Sequence, residues 1–254
     1  MQPGVTPGAS LELHAAKANG GLSPGLNDPL TTTFFDTSLN GNHATLGSGF
    51  TGQSPWLGDG SLANPHRLAM DGVDDLVVSA AFADASAVTV EMWKVRLEDR
   101  TGTRCTYQHR GGTPTGGMYM ADRTAPGAYW AVTLYTEPLG TVITRTLSNG
   151  ATLTFGAMNH QMMAVGGTTL KAWCNGTKNL EETIAATWRP SPSVVAQLFS
   201  VAGVYTTKDE YAVLRVYPFM LSDPEAAVNY AAGYLWRECP VHLLRPRYIS
   251  QGVR

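Results

Sequence analysis

Short alternating runs, each cut off within a few residues by a turn signal, leave this chain few folds to choose from. Tyr211 to Tyr217 (YAVLRVY) places Ala212, Leu214 and Val216 on one side, the period-two pattern of a strand with one buried face. Ser10 to Ala16 (SLELHAA) does the same with Leu11 and Leu13. Between Arg104 and Thr154 lie CTYQH, GMYMA, AYWAVTLY and TVITRTL, separated by Gly-Gly and Pro turns. Leu170 to Gly176 (LKAWCNG) ends on Asn-Gly, a strong hairpin signal. Leu68 to Val78 (LAMDGVDDLVV) reads as strand, Asp-Gly turn, strand, and is either a hairpin or a tight corner. Many short strands joined this way specify a sandwich or a barrel.

Two segments depart from simple alternation. In Val88 to Leu97 (VTVEMWKVRL), Val88, Val90 and Met92 share one parity while Trp93, Val95 and Leu97 share the other. A bulge near Met92, or burial on both faces, explains the switch. Ser222-Asp223-Pro224-Glu225 opens one short helix, with Ser222 as N-cap and Glu225 completing a capping box. Gly233 stops it.

The composition agrees. Of 254 residues, 43% are apolar and only 15% charged, with 27 Gly and 15 Pro. That balance excludes a disordered chain or a helical bundle. A net charge of -2 provides no basic field for nucleic acid or an anionic membrane, and no apolar run is long enough to cross a bilayer. Cys105, Cys174 and Cys239 are too few and too scattered for a disulfide framework or a metal-binding cysteine set. The N-terminus lacks the basic start and apolar stretch of a secretion signal, so folding in a cytoplasm is expected.

Five blocks taken together resemble a known family. FFDTSLNGNHATL, LAMDGVDDLVV, VTVEMWKV, HQMMAV with LKAWCNGTK, and VLRVYPFMLSDPEAAVNYAAG follow one another in this chain. They are similar, in the same order, to the signature segments of concanavalin A-like (laminin-G-like) domains. Leu76, Asn159 and Leu214 depart from the usual residues at core or corner positions. The resemblance implies an all-β, two-sheet antiparallel jelly-roll sandwich with one short C-terminal helix and an extended tail. The boundaries expected are an N-terminal arm over residues 1–9, the sandwich over 10–234 and a C-terminal extension over 235–254. The first two blocks look particularly like versions found in bacteriophage virion proteins.

Relatives with this fold include glycoside hydrolases, which need two carboxylates flanking one bond. No pair on a strand has that spacing: Glu98/Asp99 and Glu181/Glu182 are adjacent, and a Gly-Val corner separates Asp71 from Asp75. The six histidines form no HExxH set, and no serine sits in a GxSxG elbow. The expectation is a protein without enzymatic activity. No cofactor is required. Calcium is the one ion the residues suit, because hard oxygen donors gather at Asp36, Asn40 and Asn42 and again at Asp71, Asp74 and Asp75. Family members often carry calcium near one sandwich edge. The spacing matches no EF-hand loop, and turn capping is the favoured use of these side chains.

Sugar binding needs an exposed aromatic beside hydrogen-bonding groups. The candidates are Trp56, Tyr107, Tyr119, Tyr129, Trp130 and Tyr135, with at most one of Trp130 and Tyr135 facing the core by parity. Trp93, Trp173 and Trp188 are expected inside. The tail mixes apolar residues and arginines, and Trp236, Arg237, Arg245, Arg247 and Tyr248 are candidate anchors on neighbouring subunits or on the chain's own sandwich. The expected function is a non-enzymatic structural protein of a phage virion (tail, baseplate, fibre or capsid surface). Its partners would be other virion proteins, copies of itself and a host glycan. A stand-alone carbohydrate-binding or adhesin module is the alternative, and a glycan hydrolase the least favoured reading.

Overall fold

The period-two runs become strands that pair into two antiparallel sheets. The computed structural model describes residues 5–17, 33–38, 40–47, 49–50, 55–81, 85–97, 103–110, 117–124, 128–137, 141–147, 152–190, 195–198 and 208–235. In chain order its strands are β1 (Leu11–His14), β2 (Thr33–Phe34), β3 (Ala44–Leu46), β4 (Trp56–Leu57), β5 (Arg67–Ala69), β6 (Val77–Ser79), β7 (Ala87–Arg96) and β8 (Thr103–Arg110). They continue as β9 (Gly117–Thr124), β10 (Ala128–Thr136), β11 (Thr141–Leu147), β12 (Met158–Gly166), β13 (Thr169–Cys174), β14 (Thr177–Thr183), β15 (Val195–Leu198) and β16 (Asp209–Tyr217), followed by helix α1 (Asp223–Ala232).

The first sheet runs β14-β13-β12-β7-β16-β5-β4, with β1 also pairing with β16. The second runs β11-β10-β9-β8-β15-β6-β3-β2. Their facing sides share one apolar core, with Leu11, Val90, Met92, Met120, Val132, Met163 and Val216 among its fully buried members. At the edge, Arg145 of β11 and Glu182 of β14 form an ion pair at 2.5 Å that links the two sheets.

The Asp-Gly segment is a corner and not a hairpin. β5 joins the first sheet through β16, whereas β6 pairs with β15 and β3 in the second. Gly72 turns the chain at φ 78°, in the left-handed region that favours glycine. Asn175 (φ 47°) and Gly176 (φ 78°) do make the expected hairpin between β13 and β14. At Gly176 a Cβ would stand 2.5 Å from the Tyr230 ring, so only glycine fits beneath the helix.

The two apolar parities of β7 reflect burial on both faces. The strand is buried along nine of its ten residues, because α1 covers the side of the first sheet that faces away from the core. Val88, Val90 and Met92 point into the inter-sheet core, while Trp93 packs outward with Ala212 and Val213. The register irregularity lies in the neighbouring strand, between Tyr211 and Val213 of β16.

Helix α1 forms where its capping box predicts. Ser222 N–H donates to Glu225 Oε2 at 2.8 Å, and Ser222 Oγ accepts from the Glu225 N–H at 3.5 Å. Its buried Asn229 accepts from the Thr6 N–H at 2.7 Å and donates to Glu91 Oε2 and to the Tyr217 hydroxyl. The described part of the N-terminal segment is therefore no free arm: Thr6 and Ala9 are buried against the sandwich. The tail anchors Trp236, Arg237, Arg245, Arg247 and Tyr248 lie outside the described residues, as does Cys239. Cys105 and Cys174 are buried thiols, and burial pushes Cys174 up to about 11.

Candidate functional site

The structure sorts the candidate aromatics by sheet face. Trp130 and Tyr107 are 0% exposed on the core side of the second sheet, and Trp56 is 5% exposed. Trp56 meets Phe34 edge-on at 5.0 Å between centroids, and the Tyr107 hydroxyl bonds His109 Nδ1 at 2.7 Å. These three are packing residues and cannot stack on a sugar. Their strands place them against the apolar core, where aromatic surface contributes most. Trp93, Trp173 and Trp188 are buried as expected. Tyr129 lies opposite Arg123 in the β9–β10 ladder, and its side chain is outside the described part.

Tyr119 is different. Met118 and Met120 point into the core, so Tyr119 stands on the outer face of the second sheet, half-buried. The strand registers then line up a row with it. Gln197 pairs with Gln108, Gln108 with Tyr119, Tyr119 with Thr133, and Thr133 with Thr144. Beyond Gln197 the row continues through Val78 to Thr45. Gln108 Nε2 donates to Gln197 Oε1 at 2.8 Å, and the Thr133 and Thr144 hydroxyls bond at 3.0 Å. Gln108 Oε1 has no partner among the described residues.

From Gln197 to Thr144 the row crosses four strand spacings, about 19 Å at ~4.8 Å each. It presents amides, the Thr144 hydroxyl and a phenol and no charged side chain, while Thr133, 1% exposed, backs Thr144 through its hydroxyl bond. Tyr135, also half-buried on this face, pairs with Gly117.

The two oxygen clusters part company. Asp36 accepts from the Glu12 and Ser38 N–H groups at Oδ1 and from the Asn42 N–H at Oδ2, all at 2.9 Å. Asn40 and Asn42 turn their amide nitrogens onto the Ala9 and Ser10 carbonyls at 2.9 and 2.7 Å. This set caps a turn, and its donors do not suit a cation. Asp71, Asp74 and Asp75 do converge, each able to place one oxygen within 4.8 Å of the others. Asp71 and Asp75 line a cleft of about 430 Å³ together with Met70, Leu97, Lys208 and Glu210. Three carboxylates suit a hard cation, but calcium takes about six to eight oxygens. The others would have to come from water or carbonyls, beside the positive charge of Lys208.

Burial pushes the Asp75 carboxyl up to about 6, the Asp71 carboxylate adding to it and the Asp71 N–H opposing it. A folded pKa above the unfolded one favours folding fully below about pH 4, and that contribution is lost as pH rises through 6. Asp75→Asn is therefore expected to be more stable than wild type by about 2 kcal/mol at pH 7.5 in EDTA. The two should coincide near pH 4. Urea unfolding at both pH values checks this, and equal stability at pH 7.5 contradicts it.

Elsewhere among the described residues carboxylates meet around cations, Glu181 and Asp223 at the surface on Lys171 and Lys178, the others in the interior. Glu12 and Glu91 both bond Arg215 at 3.0 Å, all three 0% exposed. Burial alone would raise Glu91, but the Arg215 charge and His160 hold it down to about 2. Asp122 and Asp209 close on Lys94. A parity scan along single strands misses such pairs, because their members come from different strands.

No protein-family model matches the chain, and no curated protein does. Solved structures do share its fold. Domain 4 of AbnA, a GH43 extracellular arabinanase from Geobacillus stearothermophilus in complex with arabinotriose, is similar over 87% of this chain and 97% of that one, with TM-score 0.60 and 12% identity. The botulinum neurotoxin serotype D ligand binding domain in complex with N-acetylneuraminic acid is similar over 89% and 51%, with TM-score 0.61 and 11% identity. The binding domain of Paraclostridial Mosquitocidal Protein 1 is similar over 88% and 52%, with TM-score 0.62 and 11% identity. The chain thus spans nearly all of the arabinanase domain and about half of each toxin domain. At such identities the likeness is one of fold, and that fold is a β-sandwich of two antiparallel sheets.

Proposed function

We propose that this chain is a non-enzymatic carbohydrate-binding module that lays an uncharged glycan across the outer face of its second sheet. The observation that carries the reading is the row Gln197, Gln108, Tyr119, Thr133 and Thr144, continuous over five strands and free of charge. Amides and hydroxyls at strand spacing match the hydroxyl pattern of a sugar chain, and Tyr119 and Tyr135 supply rings for its apolar faces. The arabinotriose and N-acetylneuraminic acid named with the similar structures support a glycan as the ligand class. Hydrolysis is not part of the proposal: the pairs around Arg215 and Lys94 are sealed from solvent, and the Asp71–Asp75 corner is not on the face that carries the row.

A glycan array probed with the full chain tests this. Binding to neutral oligosaccharides is expected, with no reducing sugar released on incubation. Silence across the array, or sugar release, would overturn it. A place in a phage virion, with copies of itself and other virion proteins as partners, is the second reading. It rests on FFDTSLNGNHATL and LAMDGVDDLVV, the blocks that look most like virion proteins. Capsid and tail genes beside this one would support it, and an unrelated neighbourhood would count against it.

A further inference from the structure

The core between the sheets holds a lysine gripped by two carboxylates. Lys94 Nζ, on β7, lies 2.6 Å from Asp122 Oδ2 on β9 and 2.7 Å from Asp209 Oδ2 on β16. The three side chains are 0–3% exposed. β7 and β9 belong to opposite sheets, so the Lys94–Asp122 contact spans the sandwich. Asp209 stands beside β7 within the first sheet, its register partner there being Arg96.

The surroundings treat the two acids differently. Gln161 Nε2 donates to Asp122 Oδ1 at 3.2 Å, leaving Oδ2 to the lysine. Asp209 Oδ2 accepts from both the Tyr211 hydroxyl at 2.9 Å and Lys94. Burial, with the Asp122 charge adding and Lys94 opposing, raises Asp209 above the ordinary carboxylate range. Trp130, fully buried, stands directly opposite Asp122 in the β9–β10 ladder. Neither the glycan face nor the Asp71 corner uses this cluster.

We propose that Lys94 and Asp122 condense into an amide that joins the two sheets covalently, with Asp209 carrying the proton. The Lys94 ammonium passes one proton to Asp122, giving a neutral amine beside a neutral carboxyl. The amine nitrogen attacks Asp122 Cγ, and the Gln161 amide steadies the oxygen that gains charge. Asp209 takes the proton from nitrogen and returns it to the departing hydroxyl, which leaves as water. One C–N bond forms, one C–O bond breaks, Asp209 ends as it began, and no oxidant or co-reactant is needed.

Two physical terms favour the step. Groups held in contact by a fold react as if at very high concentration, about 10⁵–10⁸ M in well-aligned cases. The condensation also removes one buried cation and one buried anion, whose desolvation costs several kcal/mol each. Arg96, with Nε 3.8 Å from Asp122 Oδ2 and opposite Asp209 in the β7–β16 ladder, keeps a positive charge beside the cluster. Asp122 is the acyl donor because Gln161 polarises its Oδ1 and leaves Oδ2 as the leaving atom.

Intact-mass spectrometry of the purified full chain tests this. Wild type is expected to weigh one water less than its sequence, and a digest should contain a Lys94 peptide linked to an Asp122 peptide. Asp209→Asn keeps the shape of the side chain; it is expected to fold, by circular dichroism, and to show the full sequence mass. A wild-type mass equal to the sequence mass after prolonged incubation would overturn the proposal. A water deficit carried by a succinimide at Asp71-Gly72, with no linked peptides, would also overturn it. Full cross-linking in Asp209→Asn would remove Asp209 from the step.

Discussion

Replacing Arg215 by methionine is expected to destabilise the fold by about 3–5 kcal/mol at pH 7, a large share of the roughly 5–15 kcal/mol that holds a domain folded. The guanidinium is fully buried and is shared by Glu12 and Glu91. Without it, two carboxylates stay under α1 with His160, Asn229 and Tyr217 as their neighbours. An uncompensated buried charge costs far more than a buried pair contributes, so the loss should not appear when all three charges go together. The triple variant Glu12→Gln, Glu91→Gln, Arg215→Met is expected to be markedly more stable than Arg215→Met alone.

The pH dependence has a definite sign. In wild type Glu91 titrates near 2, below its unfolded value. Its contribution is therefore present above about pH 4.5 and is lost as pH falls through 2. In Arg215→Met the orphaned acids gain by protonation, so the deficit against wild type should shrink between pH 7 and pH 4. Urea unfolding at the two pH values measures this. A loss under about 1 kcal/mol at pH 7 would mean that the cluster is not sealed from water.

Trp130→Ala and Tyr119→Ala should separate folding from binding. Trp130 is 0% exposed, and truncating a buried tryptophan costs about 3–5 kcal/mol. Tyr119 stands on the other face of the same sheet, half-buried, so its removal should cost about 1 kcal/mol or less. Glycan affinity should behave in reverse. Losing one stacking ring is worth about 1.4 kcal/mol, or tenfold in Kd, for Tyr119→Ala. A Trp130→Ala sample kept below its lowered Tm should bind nearly as wild type does. Thermal melts and calorimetric titration of both variants check the contrast, and a reversed pattern would put the glycan on a different surface.

Which parts of this were legible in the sequence follows from how local each signal is. The capping box at Ser222 and Glu225, the Asn175-Gly176 hairpin and the alternation of β16 depend on neighbours in the chain, and each is read directly. The Asp-Gly corner is half-legible, because Asp71 and Gly72 announce a turn but not whether the flanking strands pair. In GMYMA the alternation separates Tyr119 from Met118 and Met120, so its outward direction could have been read. CTYQH could not place Tyr107 as simply, since a register irregularity lies between Cys105 and Tyr107.

The charge clusters are the least legible part. Lys94 meets acids 28 and 115 residues away, and Arg215 meets Glu12 from 203 residues away. Only the strand order brings them together. The glycan row is hidden for the same reason, since it exists only once the registers of five strands are known.

Amide chemical-shift mapping of the isotope-labelled full chain tests the outer face of the second sheet as the glycan site most directly. The titrant is a neutral oligosaccharide selected on the array. Saturable shifts are predicted at Gln108, Tyr119, Thr133, Thr144 and Gln197, with the Asp71 to Asp75 corner unmoved. Shifts centred on that corner, or none on the row at saturation, would contradict the account.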